Sequence, residues 1–75
     1  MTYYFDNQRH LVCIPYSVEN LHKMAKSLGI KRCWFHKDHY DIPLYKLIEV
    51  SQVAQQVRPR DIFFIIKFGY MKKIP

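Results

Sequence analysis

Only two glycines, Gly29 and Gly69, occur in the 75 residues, so no glycine-rich loop exists to cradle a phosphate. Long apolar runs are missing too. The longest, Ile62 to Ile66, falls far short of the roughly 20 residues that cross a bilayer, so no membrane partner is expected. Cysteine is scarce: Cys13 and Cys33 lack the close spacing of a zinc or redox motif, and no secretory signal opens the chain. They read as two buried thiols of a soluble protein in a reducing cytoplasm. Acidic residues are few, six Asp and Glu against twelve Lys and Arg, giving a formal net charge of +6. Residues 1–30 carry +1 of this and residues 31–75 carry +5.

What is present argues for a folded chain. Hydrophobic residues make up 49% and aromatics 16%, too many for a disordered tail, and a chain this short has room for one domain, residues 1–75. The basic balance permits nucleic acid, an anionic ligand or an acidic protein as partner.

Thr2-Tyr3-Tyr4-Phe5 is β-prone and closes on the turn-forming Asp6-Asn7, which predicts a strand. Leu11 to Ile14 is apolar, but Pro15 disfavours helix at Ile14, leaving strand or extended loop. Ser17 is a good N-cap, and Val18, Leu21, Met24, Ala25 and Leu28 share one helical face until Gly29 stops the helix; His22 falls at its margin. Ile30 to Phe35 reads as a further strand, completing a βαβ unit. Asp41 suits the cap of a second helix with Pro43 in its first turn and Leu44, Leu47, Ile48, Val50, Val53, Ala54 and Val57 on a wide apolar arc that packs on two neighbours. For Asp61 to Phe68 local rules conflict: propensity favours a strand, whereas Pro59, Asp61 and Gly69 suit the ends of a helix.

Asp6 ends the first strand, His10 follows a short loop, and His36, His39 and Asp41 cluster after the next expected strand. In a parallel βαβ unit these loops leave one sheet edge, where ligands bind in open α/β folds. Imidazole binds divalent metals and moves protons near neutral pH, and a carboxylate completes the coordination or fixes a ring tautomer. His36-x-x-His39-x-Asp41 is thus a candidate metal or catalytic loop, although two solvated histidines and a capping aspartate give the same string. Tyr40 suits stacking on a ring, or a lid over the small core. Arg58, Arg60, Lys67, Lys72 and Lys73 suit phosphate contacts, or simply a solvated basic face.

The strings His10-Leu11-Val12, Leu21-His22-x-x-Ala25-x-x-Leu28-Gly29 and Trp34-Phe35-His36-x-x-His39-Tyr40-Asp41-Ile42-Pro43 resemble the domain-of-unknown-function family numbered 4031, small bacterial and phage proteins. Arg60-Asp61-Ile62 and Gly69 look like the family's final helix and its glycine. The resemblance favours helix for Asp61 to Phe68, and it draws Asp6, His10, His22, His39 and Asp41 together as a set. The His36 position tolerates other residues in the family. One departure is the loop Asn7-Gln8-Arg9, which is longer in other members. The resemblance implies no activity, because none is assigned to the family.

The expected fold is a small single α/β domain, a two- or three-stranded mainly parallel sheet flanked by about three helices. The leading functional expectation is a site in which His10, His39 and Asp41 hold a divalent metal, zinc or manganese, or transfer protons, with Asp6, His22, His36 and Tyr40 contacting the ligand. That ligand carries phosphate or is a nucleic acid, and phosphoester hydrolysis is the expected reaction if the protein is an enzyme. The alternative is a non-catalytic, phage-borne module that docks on a host protein or nucleic acid through its basic C-terminal half. The run Ile62 to Ile66 also suits a homodimer seam.

Overall fold

The computed structural model describes residues 1–71. Thr2–Phe5 forms β1 and His10–Ile14 forms β2, paired antiparallel with Phe5 opposite Leu11 and Thr2 opposite Ile14. Asp6, whose amide donates to the His10 carbonyl at 3.2 Å, closes the three-residue hairpin loop Asn7-Gln8-Arg9, which needs one left-handed residue to match the strand twist. Arg9 takes that place, with φ 67°.

Val18–Ser27 forms α1, whose Ser17 cap accepts from the Asn20 amide at 2.9 Å. Leu21, Met24 and Ala25 turn into the core, while Val18 is exposed. Gly29, at φ 70°, ends the helix as its left-handed stop.

The expected strand over Ile30 to Phe35 is a single 3-10 turn, Arg32–Trp34, followed by the two-residue β3, Phe35–His36. Lys37, at φ 63°, and Asp38 reverse the chain into β4, His39–Asp41. Asp41 therefore ends a strand and caps no helix. After a 3-10 turn over Leu44–Lys46, α2 covers only Leu47–Val53, and Ala54–Gln56 leaves it as β5. Leu44, Ile48 and Val53 stay exposed, so the wide apolar arc does not pack on two neighbours; Val50 alone of α2 is fully buried.

The sheet has five strands in the order β3-β4-β2-β1-β5, with β1/β5 its one parallel pair. The expectation of two or three mainly parallel strands is thus corrected to a five-stranded mixed sheet in an α/β fold. The physical reason is connection length. Four residues between β1 and β2, and two between β3 and β4, permit only hairpins, since a parallel crossover needs a dozen or more.

Pro59–Phe68 forms α3, so helix overrides β-propensity here. Ile62 and Ile65 pack in the chain's own core, Phe63 of the same run is exposed, and Gly69, at φ 81°, caps the end. At the start, the Asp61 carboxylate accepts from the Arg58 amide at 3.0 Å and from its guanidinium at 3.2 Å. The Arg58 side chain holds the Asp61 carboxyl below its ordinary range. The charged form is favoured by folding, so this contribution is full above about pH 4 and is lost as pH falls through the lowered folded value. Asp61→Ala is expected to cost about 1 kcal/mol at neutral pH, with the gap to wild type closing on acidification in denaturant titrations.

Leu11, Val12 and Cys13 are fully buried, because α1 covers one face of β2 and α3 the other. Burial pushes the Cys13 thiol up to about 11, which leaves it inert. Cys33 is exposed, against expectation.

Candidate functional site

Residues two apart on a strand share a face, and directly paired residues on neighbouring strands do too. His39 and Asp41 therefore project together from β4; His10 lies opposite Asp41 on β2, and His36 lies opposite His39 on β3. Four sequence-named residues meet on the face that α3 covers. The parallel βαβ route expected to gather them is corrected: antiparallel register does it.

Each inner imidazole is held by a carboxylate. Asp6 is fully buried, with 0% exposure; its Oδ1 accepts from the backbone amides of Gln8 at 2.9 Å and His10 at 3.0 Å, and its Oδ2 accepts from His10 Nδ1 at 2.9 Å. One side chain thus closes the β1–β2 loop and fixes the tautomer of His10. Asp38 does the same for His39, whose Nδ1 donates to Asp38 Oδ1 at 2.8 Å. The Tyr16 hydroxyl donates to the Asp38 carbonyl at 2.7 Å and pins that turn; burial and the nearby Asp38 charge both hold the Tyr16 phenol above its ordinary value. With both Nδ1 atoms engaged, Nε2 is the nitrogen each ring has left.

His39 Nε2 stands 3.3 Å from Asp41 Oδ1, and donor atoms of His10, His39 and Asp41 lie within 4.8 Å of one another. Ligands about 2.0–2.2 Å from a tetrahedral zinc are separated by about 3.3 Å. The His39–Asp41 edge already has this length, and no edge of the trio exceeds 4.8 Å. Asp6, Asp38 and Asp41 bring three carboxylates to one corner of a chain that is basic overall. The rings pack edge to face, His10 on His39 with centroids at 4.8 Å and His36 on His39 at 5.3 Å.

His10 and His39 open into a depression of about 280 Å³ between Gln8, His10, Asp38 and His39 on one side and Pro59, Ile62, Phe63 and Ile66 of α3 on the other. One wall is polar and the other apolar.

Two named residues lie elsewhere. Tyr40, between His39 and Asp41, points to the opposite face and is 1% exposed; its hydroxyl sits 2.7 Å from Nδ1 of His22 on α1. Burial raises the Tyr40 phenol above its ordinary value, so it keeps its proton beside His22. The pair ties α1 to β4 beneath the site. Of the basic residues, Arg58 spends its guanidinium on Asp61, Arg60 and Lys67 are exposed on α3, and Lys72 and Lys73 lie outside the described residues.

Sequence reading passed over Asp38, Gln8, Tyr16 and Phe63. Asp38 adjoins His39 in the chain, but adjacent strand residues diverge; only the turn at Lys37 folds its carboxylate back. Phe63 was hidden inside an apolar run.

The family model of proteins of unknown function designated DUF4031 matches residues 6–67, and the chain belongs to that family. No curated protein and no solved structure matches it.

Proposed function

We propose that this DUF4031 protein binds a divalent cation on His10, His39 and Asp41, zinc in preference to manganese, and uses it to bind and hydrolyse a phosphate-bearing ligand. The observation that carries this reading is the meeting of three donor atoms within 4.8 Å, with both imidazoles backed by carboxylates. Carboxylate–imidazole pairs of this kind orient metal-ligating histidines and raise their basicity. Two nitrogens and one oxygen suit zinc, whereas manganese favours oxygen-rich sets. Three protein ligands leave a fourth position for water or substrate, as catalytic zinc sites do. Among the described residues the two left-handed non-glycine ones, Arg9 and Lys37, lie in the two turns that set His10 and His39, where backbone strain of order 1–2 kcal/mol is retained.

A bound cation of this type lowers the pKa of its water and polarises a phosphoryl oxygen. The chain's own residues supply the rest. Asp6 and Asp38 hold the two rings in their ligating tautomers, Gln8 offers an amide to a ligand oxygen, and His36, exposed beside His39, is placed to take or give a proton. Phosphate approaches the acidic corner only once a cation sits there, so anion binding at that corner depends on metal. His22 and Tyr40 act through the fold and not on the ligand.

The test is metal analysis of protein purified without an affinity tag, followed by assay of the zinc- and manganese-loaded chain against phosphomonoesters and phosphodiesters. Phosphate release that a chelator abolishes is the expected result. A folded chain that takes up neither metal overturns the proposal in favour of the docking module.

A further inference from the structure

In α3, Arg60, Phe63 and Lys67 follow one another at intervals of three and four, which places them within an arc of about 60° on one side of the helix. Ile62 and Ile65 turn the other way, into the core. Phe63 is 65% exposed, yet it also lines the depression that holds His10 and His39. A large aromatic ring thus stands in water at the lip of the site, flanked along the helix by two cations. Among the described residues, neither Arg60 nor Lys67 is in a salt bridge with a carboxylate. The stripe runs about 10 Å along the helix axis. A second depression, lined by Asn7, Gln56 and Arg58 among others, shares Pro59 with the first, so the surface has room for an extended ligand and not only for one compact molecule.

An aromatic ring between two basic groups along the exposed side of a helix matches the repeat of a nucleic acid strand, in which a base face and a phosphate recur in each unit. A base must leave its stack to lie on a protein ring, which a single strand permits and a duplex resists. From this we infer that the ligand is single-stranded nucleic acid, with one base on Phe63, phosphates on Arg60 and Lys67, and the next phosphate directed to the histidine corner. The placement of that last phosphate rests on the proposed metal site; the stripe itself does not.

The experiment is titration of a fluorescein-labelled single-stranded oligonucleotide, its duplex and inorganic phosphate into the full chain, with and without zinc. Metal uptake is measured in parallel. The single strand is expected to bind more tightly than the duplex. Phe63→Ala should weaken single-strand binding by about five- to a hundredfold, while zinc uptake and melting temperature stay at the wild-type values. Arg60→Gln and Lys67→Gln should each reduce the slope of log affinity against log salt by about 0.7. Duplex binding equal to single-strand binding, or a Phe63→Ala chain that binds as wild type, overturns the inference. So does wild type that binds no oligonucleotide. Absence of zinc uptake with the Phe63-dependent binding intact removes the metal proposal and leaves this one standing.

Discussion

Replacing His39 with alanine is expected to abolish stoichiometric zinc binding while the chain stays folded. His39 contributes one of three donors and is the central one, 3.3 Å from Asp41 and in edge-to-face contact with His10. Loss of a mere supporting partner at a metal site costs about 10- to 100-fold in affinity, so loss of a ligand should exceed about a hundredfold. Asp38→Asn supplies the comparison within this chain, since it removes the charge behind His39 and leaves the ring. It should fall in that 10- to 100-fold range. Folding should survive His39→Ala because the strand pairing of β4 runs through its backbone, and Asp38, with its side chain 38% exposed, regains water when its partner goes. The expected cost is about 1 kcal/mol. Competition against a chromophoric zinc chelator measures the affinity, and a thermal melt monitors the fold. Equal zinc uptake by wild type and His39→Ala would place any metal elsewhere.

Asp6→Ala should instead damage the fold itself. Asp6 is fully buried and accepts three hydrogen bonds, two of them from backbone amides of the loop that sets the β1–β2 register. Alanine leaves those donors and His10 Nδ1 without their acceptor, at roughly 1–3 kcal/mol for each that stays buried. A net loss of about 3 kcal/mol is a large share of the stability of a chain this small, and corresponds to a fall in melting temperature of roughly 12–24 °C. Asp6→Asn separates the two duties of the side chain. Its amide oxygen still serves the loop, so stability falls by only about 1 kcal/mol, but the carboxylate behind His10 is gone and zinc affinity drops about 10- to 100-fold. A melt of Asp6→Ala within a few degrees of wild type would show that the loop holds without the carboxylate.

Reading of the sequence succeeded where the determinants are local. The ends of α1 follow from Ser17 and Gly29, and those of α3 from Pro59, Asp61 and Gly69, because capping satisfies backbone groups within one turn of the residue that does it. For α3 these end signals outweigh the β-propensity of Ile62 to Ile66, as the family resemblance also implied. Reading failed where partners are distant. β3 and β4 have two and three residues, too few to carry a period, and their turn at Lys37-Asp38 lacks the glycine that marks most tight hairpins. The apolar residues of α2 look like one long buried face, yet β5 breaks away to pair with β1 and leaves Ile48 and Val53 in water.

The same division holds for the site. By itself the sequence determined that the chain folds as a small basic α/β protein with three helices, that it belongs to the DUF4031 family, and that Asp6, His10, His39 and Asp41 are residues able to ligate or to orient. Tertiary structure alone decided their arrangement. Antiparallel register puts His10 opposite Asp41, the turn at Lys37 brings Asp38 behind His39, strand alternation sends Tyr40 to His22 on the far face, and the helical phase of α3 leaves Phe63 at the rim. Residue types are local properties of the chain, whereas which side chains share a face is set by strand register and helix phase, and these are fixed only when the hydrophobic faces of all the elements are buried together.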